Sequence, residues 1–197
     1  MSDSDVISQA PRFTVDCDFW APAPGILNAI MRATLPKVVR NGRMPGYDMA
    51  FQRQMKNVVC VPGKNDLLDK YFAGSAYTAV WYGGLISLTS YTAIANTDTL
   101  ASHAGWLEAG GANAPAYSAA NRSTITFGAA ATGVKASTAI TAFTFSSAGT
   151  VKGLFITTAQ VKDATAGILY SAGLFTAGDA PVGSGYVLTC TCSVTQT

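Results

Sequence analysis

Residues 186–195 constrain the fold most. Tyr186, Leu188, Cys190, Cys192 and Val194 fall on one face of an extended chain, and Val187, Thr189, Thr191, Ser193 and Thr195 on the other. A period of two belongs to a strand with one buried face. Phe143 and Phe145 alternate with Ala142 and Thr144 in the same way, and further strands are expected over Thr78–Ile86, Ser123–Phe127, Thr150–Thr158 and Gly167–Phe175. Turn-rich tracts such as Gly110-Gly111-Ala112-Asn113, Ser146-Ser147-Ala148-Gly149 and Ala177-Gly178-Asp179 separate them. Short strands rich in Thr, Val, Phe and Tyr predict an antiparallel β-sandwich of jelly-roll or immunoglobulin-like type.

A different regime precedes Gly74. Pro22, Pro24, Pro36, Pro45 and Pro62 divide this part into short pieces. Ile26, Leu27, Ile30 and Met31 at helical spacing predict a helix over Gly25–Leu35 that Pro36 ends. A second helix is expected over Asp48–Val59. A third is expected over Asn65–Phe72, with Asn65 as its N-cap and Gly74 as its stop. Three short segments make a poor independent core. The chain is therefore expected to be mainly β, with residues 1–74 a basic, Pro-interrupted arm with short helices and residues 75–197 the sandwich. Deleting residues 1–57 would leave such a sandwich folded.

Only 12% of the 197 residues are charged, about half the usual share. A surface so poor in charge suits an assembled protein whose faces are covered by partners. Net charge is +2, but Arg32, Lys37, Arg40, Arg43, Arg53, Lys56 and Lys64 stand against Asp48 alone between Trp20 and Lys64. These cations interleave with Met44, Tyr47 and Met49, a combination suited to docking on an acidic, irregular protein surface. The candidate partner-binding residues are Arg32, Lys37, Arg40, Arg43 and Arg53, with Trp20 and Phe51 as apolar anchors. No nucleic-acid-binding motif accompanies the charge, so direct nucleic-acid contact is not expected.

The run Thr99–Glu108 holds the only His and the only Glu of the chain, beside Trp106. Ser102 and His103 are neighbours whose side chains diverge on an extended chain, which does not suit a nucleophile–base pair. Asp98 is placed to orient His103, but the sequence nominates no serine against that His, and no GxSxG elbow exists. Paired-carboxylate glycoside hydrolysis needs a partner for Glu108, and the nearest candidates, Asp98, Asp163 and Asp179, sit in turns. Val61-Pro62-Gly63-Lys64-Asn65 lacks the P-loop spacing and is expected to be a turn before a capped helix. No catalytic, cofactor or metal site is expected. The bland reading of this run is packing: Trp106 as a core anchor, Gly105 as a permissive backbone position and His103 as a polar link.

Cys17, Cys60, Cys190 and Cys192 form no CxxC and no zinc spacing, and are expected to be free, buried thiols, as suits assembly in a reducing cytoplasm. The start Met1-Ser2-Asp3-Ser4-Asp5 leads into no apolar core of a signal peptide. No run of about 18 apolar residues predicts a membrane helix.

Residues 63–77, from Gly63-Lys64-Asn65-Asp66-Leu67-Leu68 to Gly74-Ser75-Ala76-Tyr77, and Trp81-Tyr82-Gly83-Gly84-Leu85-Ile86 resemble structural proteins of tailed bacteriophages. So does the continuation through Asp98–Trp106, Tyr117, Asn121-Arg122, Gly149–Ile156 and Gly167–Ser171. The resemblance covers roughly residues 58–197. It implies a non-enzymatic virion component, similar to the decoration or cement proteins that bridge capsomers. On that footing the partners are the major capsid protein and other copies of this chain, the place is the capsid exterior, and assembly occurs in the bacterial host cytoplasm. A tail, neck or fibre-base protein that contacts a host receptor is the alternative, because those parts also use β-sandwich modules.

Overall fold

A computed structural model describes residues 12–35, 42–72, 80–138 and 141–195. In chain order the elements are β1 (Arg12–Pro22), α1 (Ile26–Thr34), β2 (Tyr47–Val59), α2 (Val61–Phe72), β3 (Trp81–Ser87), β4 (Glu108–Ala109), β5 (Ser123–Ile125), β6 (Val134–Ala136), β7 (Thr141–Thr144), β8 (Gly149–Thr157), β9 (Leu169–Leu174), β10 (Ala180–Val182) and β11 (Val187–Thr195). The sheet runs β4-β3-β8-β9-β2-β1-β11-β6, with β5 on β3, β10 on β8 and β7 on β11. Its strand pairs are antiparallel.

The protein is mainly β, and the sheet folds over on itself in a sandwich-like way. Strand β2 is the corner: ten of its first eleven residues pair with β1, and Val58 and Val59 pair with β9. Val15, Cys17 and Phe19 of β1, Met55 of β2 and Leu188, Cys190 and Cys192 of β11 thereby meet Leu85 of β3 and Val151, Leu154 and Ile156 of β8 in one core. On the opposite side the layers come together again near β5 and β7, where Ser123 Oγ donates to Ala142 O at 2.7 Å and Thr138 N–H to Thr126 O at 2.8 Å. Joining the layers on both sides covers edges that would otherwise offer unpaired backbone groups.

The alternation read in β11 holds. Leu188, Cys190 and Cys192 face this core, while Val187 packs on the other face with Trp20, Met44 and Tyr47. Phe143 and Phe145 are buried as well. Strands β3, β5, β8 and β9 fall within about two or three residues of their expected bounds, apart from positions 78 and 79, which lie outside the described residues.

The first 74 residues differ from the expectation. Asp48–Val59 is not helical but most of strand β2. Along it Phe51, Met55 and Val59 turn inward and Gln52, Gln54 and Val58 outward, and a register shift at Phe19/Trp20 takes up the extra residue Ala50. Residues 12–22, for which no element was expected, form β1, with Val15, Cys17 and Phe19 inward and Asp16 outward. The supposed arm therefore supplies two strands of the sheet, and it is not a separable appendage. Only α1 and α2 match its helical character. Helix α2 begins at Val61, four residues before the expected cap, because Pro62 is tolerated in a first turn where no amide is needed. Gly63 lets that turn press on β9: a Cβ there would stand 2.5 Å from Tyr170 O.

Deletion of residues 1–57 removes β1 and nearly all of β2 together with their core side chains. The expected outcome is loss of cooperative thermal unfolding and of the β-sheet circular-dichroism signal. A truncated protein that still melts cooperatively would contradict the shared core.

Candidate functional site

The loop after β3 carries the rare side chains, and the structure uses them on each other. Asp98 accepts two hydrogen bonds through Oδ2, from Ala95 N–H and from Trp106 Nε1–H, both at 2.9 Å. Trp106 is fully buried with Ile86, Leu100, Phe155 and Leu169. His103 stacks on the Trp106 ring at 4.1 Å, and its Nδ1 lies 2.9 Å from Trp106 O. A carbonyl can only accept, so the geometry assigns the Nδ1 proton to that bond. Asp98 thus orients Trp106 and not His103. The exposed Ser102 closes a tight turn, its N–H reaching Thr99 Oγ1 at 3.0 Å. Gly105 is required for close approach: a Cβ would collide with Ala93 O, and Gly105 O meanwhile accepts Thr92 and Ala93 N–H.

Glu108 is clasped by Arg122 in a bidentate pair, Nε to Oε1 at 2.8 Å and Nη2 to Oε2 at 2.7 Å, with both side chains almost entirely buried. Arg122 also donates to Ala159 O at 2.8 Å and lies 5.1 Å from the Phe155 ring. Asp163 N–H adds a third bond to Glu108, at 2.7 Å. Beside this clasp Lys162 donates to Gly110 O and Tyr117 O and caps the Tyr117 ring at 3.6 Å. Burial lowers the Lys162 pKa against the pull of Glu108 and Asp163. Burial also raises that of Tyr117, with Glu108 adding to the rise. The adjoining cavity measures only about 140 Å³. With its carboxylate held by a guanidinium and a backbone amide, Glu108 is arranged as an internal tie between β4, the approach to β5 and the loop after β8.

The candidate partner-binding residues scatter. Trp20 is 2% exposed and donates Nε1–H to Thr189 Oγ1 at 3.1 Å, so it is a core residue and no surface anchor. Its strand lies between β2 and β11, which close over it. Phe51 is half-buried, stacked on Phe19 at 4.5 Å, with the Arg53 guanidinium 4.6 Å from its ring. Arg53 itself reaches Gly178 O at 3.2 Å. Arg32 is turned inward to Ala23 O and, at 2.9 Å, to Gly46 O, tying α1 to the strands on either side. Among the described members of the set only Arg43 is exposed. Lys37 and Arg40 lie outside the described residues.

What faces outward near them is apolar. On α1, Ile26 is 82% exposed and Leu27 70%, with Ile30 and Leu35 beside them; on α2, Tyr71 is 80% and Phe72 78%, next to Leu67 and Leu68. An open groove of about 730 Å³ runs along α1, lined by Met31, Leu35, Arg43, Met44, Pro45 and Met49 among others. The apolar stripe of α1 was visible in the sequence, but stripes normally face a core. Its exposure shows only in the fold, where no residue of α1 is buried.

All four cysteines are buried thiols. Burial pushes Cys60 up to about 11, Asp98 contributing, and Cys192 up to about 12. Among the described residues no group of three or more His, Cys, Asp or Glu is placed to hold a metal ion. No described helix is long and apolar enough to cross a membrane.

Glu108→Gln leaves Arg122 buried without a counter-charge and should destabilise the fold by about 3–5 kcal/mol, read from urea unfolding. The thiols predict an alkaline loss of stability. Below the ordinary thiol value of 9.0 folded and unfolded states hold their protons alike; above it the unfolded chain ionises first, while folded Cys60 keeps its proton to about 11. Stability therefore falls across that window, whereas Lys162, its folded pKa lowered, acts in the opposite sense as pH approaches 10.5. Comparing Cys60→Ala with the parent isolates the thiol part: the variant's urea midpoint should fall less steeply with pH.

No protein-family model matches the chain, and neither a curated protein nor a solved structure does.

Proposed function

We propose that this chain is a non-enzymatic structural protein of a tailed-bacteriophage particle, a decoration (cement) protein that binds the lattice of the major capsid protein from outside and stabilises the head. The observation that carries the proposal is where the chain spends its rare side chains and where it leaves its apolar ones. Asp98, His103, Glu108 and Arg122 are tied into internal contacts, while large apolar side chains stand in solvent on α1 and α2. Monomers rarely keep contiguous apolar patches exposed. The kind of particle is argued only from the resemblance read in the sequence of residues 58–197, and a sandwich of jelly-roll or immunoglobulin-like type would suit such a part.

The mechanism is linkage. A protein that binds only the assembled shell stabilises it by mass action, and many copies on one lattice, contacting each other, hold without a strong single contact. Helix α1 supplies the apolar contact, and Arg43 with the neighbouring positions Lys37 and Arg40 supplies the positive charge that an acidic capsid surface attracts.

Replacing Ile26, Leu27 and Ile30 together by Glu tests this. No residue of α1 is buried, so the melting temperature should hold while occupancy on shells, read from stained gels after sedimentation, drops at least about tenfold. Undiminished occupancy would sink the proposal. Copy number in the purified particle separates the head from the alternative: lattice-scale abundance fits a cement protein, and a handful of copies fits a tail, neck or fibre-base part.

A further inference from the structure

Cys17 of β1 and Cys190 of β11 are directly opposed in the antiparallel ladder. Their sulfurs lie 2.9 Å apart inside the core, 173 residues apart in sequence. Opposed residues of such a ladder have Cα atoms about 4.5–5.5 Å apart, within the about 4.4–6.8 Å that a disulfide spans. Closing from 2.9 Å to a bond of about 2.05 Å needs less than about 1 Å of side-chain movement. We propose that Cys17 and Cys190 form a disulfide site that staples the first described strand to the last once the protein meets an oxidising medium.

The register makes the pair specific. Cys192 sits opposite Val15, and Cys60 packs in the separate cluster around Trp106. The chemistry balances with a small-molecule disulfide as oxidant. The thiolate of one cysteine attacks the disulfide, forming a mixed disulfide and releasing one thiolate. The second cysteine, deprotonated, attacks the protein sulfur of that mixed disulfide, forming the Sγ–Sγ bond and releasing the other thiolate. The two cysteine protons end on the two released thiols, so two cysteines are oxidised as one small disulfide is reduced. Both sulfurs are enclosed, and burial holds the Cys190 proton tightly. The bond therefore forms as β1 and β11 open locally, and, once closed, is shielded from reductant. Its timing rests on the function proposed above: thiols stay reduced in the cytoplasm where a particle assembles, and oxidation follows release. The pairing itself does not rest on it.

The purified full-length chain, reduced and then held in native buffer with oxidised glutathione, tests the site. After acid quench and alkylation in denaturant, two of the four cysteines should resist alkylation, the intact mass should fall by two hydrogens without a glutathione adduct, and fragmentation should map the bond to Cys17–Cys190. The oxidised form should unfold at higher urea than the reduced form, because a very long loop is closed. The Cys60→Ala, Cys192→Ala double variant should still close the bond, and Cys17→Ala should leave every remaining cysteine alkylatable. Four alkylated cysteines in the wild type, a stable glutathione adduct, or a bond to Cys192 or Cys60 would each overturn the proposal, even if both variants fail to fold. Shell binding plays no part in these readouts, so failure of the capsid proposal leaves the pairing standing, and the reverse.

Discussion

The position of β1 between β2 and β11 is the constraint on which the rest of the molecule depends. From Arg12 to Trp20 it is paired with β11, and along Phe13 to Pro22 with β2, so its amides and carbonyls are satisfied on both sides. Its inward side chains, Val15, Cys17 and Phe19, lie at the centre of the main core. Because β2 then turns into the β9 layer, β1 holds the corner that brings the layers face to face. Contacts between residues so distant in sequence are formed only after large loops close, which implies slow folding relative to a helical protein of this size.

That arrangement explains why α1 and α2 stand outside. Helix α1 lies in the connection between β1 and β2, whose inner faces are filled by the core and whose outer face near Trp20 is covered by Met44 and Tyr47. Helix α1 is fastened by backbone and guanidinium contacts, chiefly those of Arg32, and its apolar stripe stands exposed. Helix α2 touches the body through its first turn at Gly63 and Tyr170, and its last turn, with Tyr71 and Phe72, projects.

A second constraint works in the long loops. Residues 88–107 and 158–168 have few ladder bonds to satisfy their backbone, and buried polar groups need partners. Asp98, Glu108, Arg122 and Lys162 provide them, reaching backbone groups of Ala95, Asp163, Ala159 and Gly110. Side chains that look chemical in a plain sequence are here the hydrogen-bonding equipment of irregular backbone, which is why their concentration around Thr99–Glu108 marks architecture.

The sequence by itself determined the periodic parts. Alternation sufficed for β11 and β7, strand-type composition between turn-rich tracts for β8 and β9, and helical spacing before Pro36 for α1, because these are local properties of the chain. It did not suffice for β2, where Met49, Phe51 and Met55 sit among Gln and Arg residues and fit either period, nor for β1, whose alternation was interrupted by no feature that drew it out of the supposed arm. Only the tertiary structure decided that Trp20 is core, that Arg32 is a clasp, that the apolar face of α1 is exposed and that Cys17 meets Cys190. Each of these depends on which strand lies beside which, and strand partners are chosen by the joint burial of residues far apart in the chain, information that no local pattern carries.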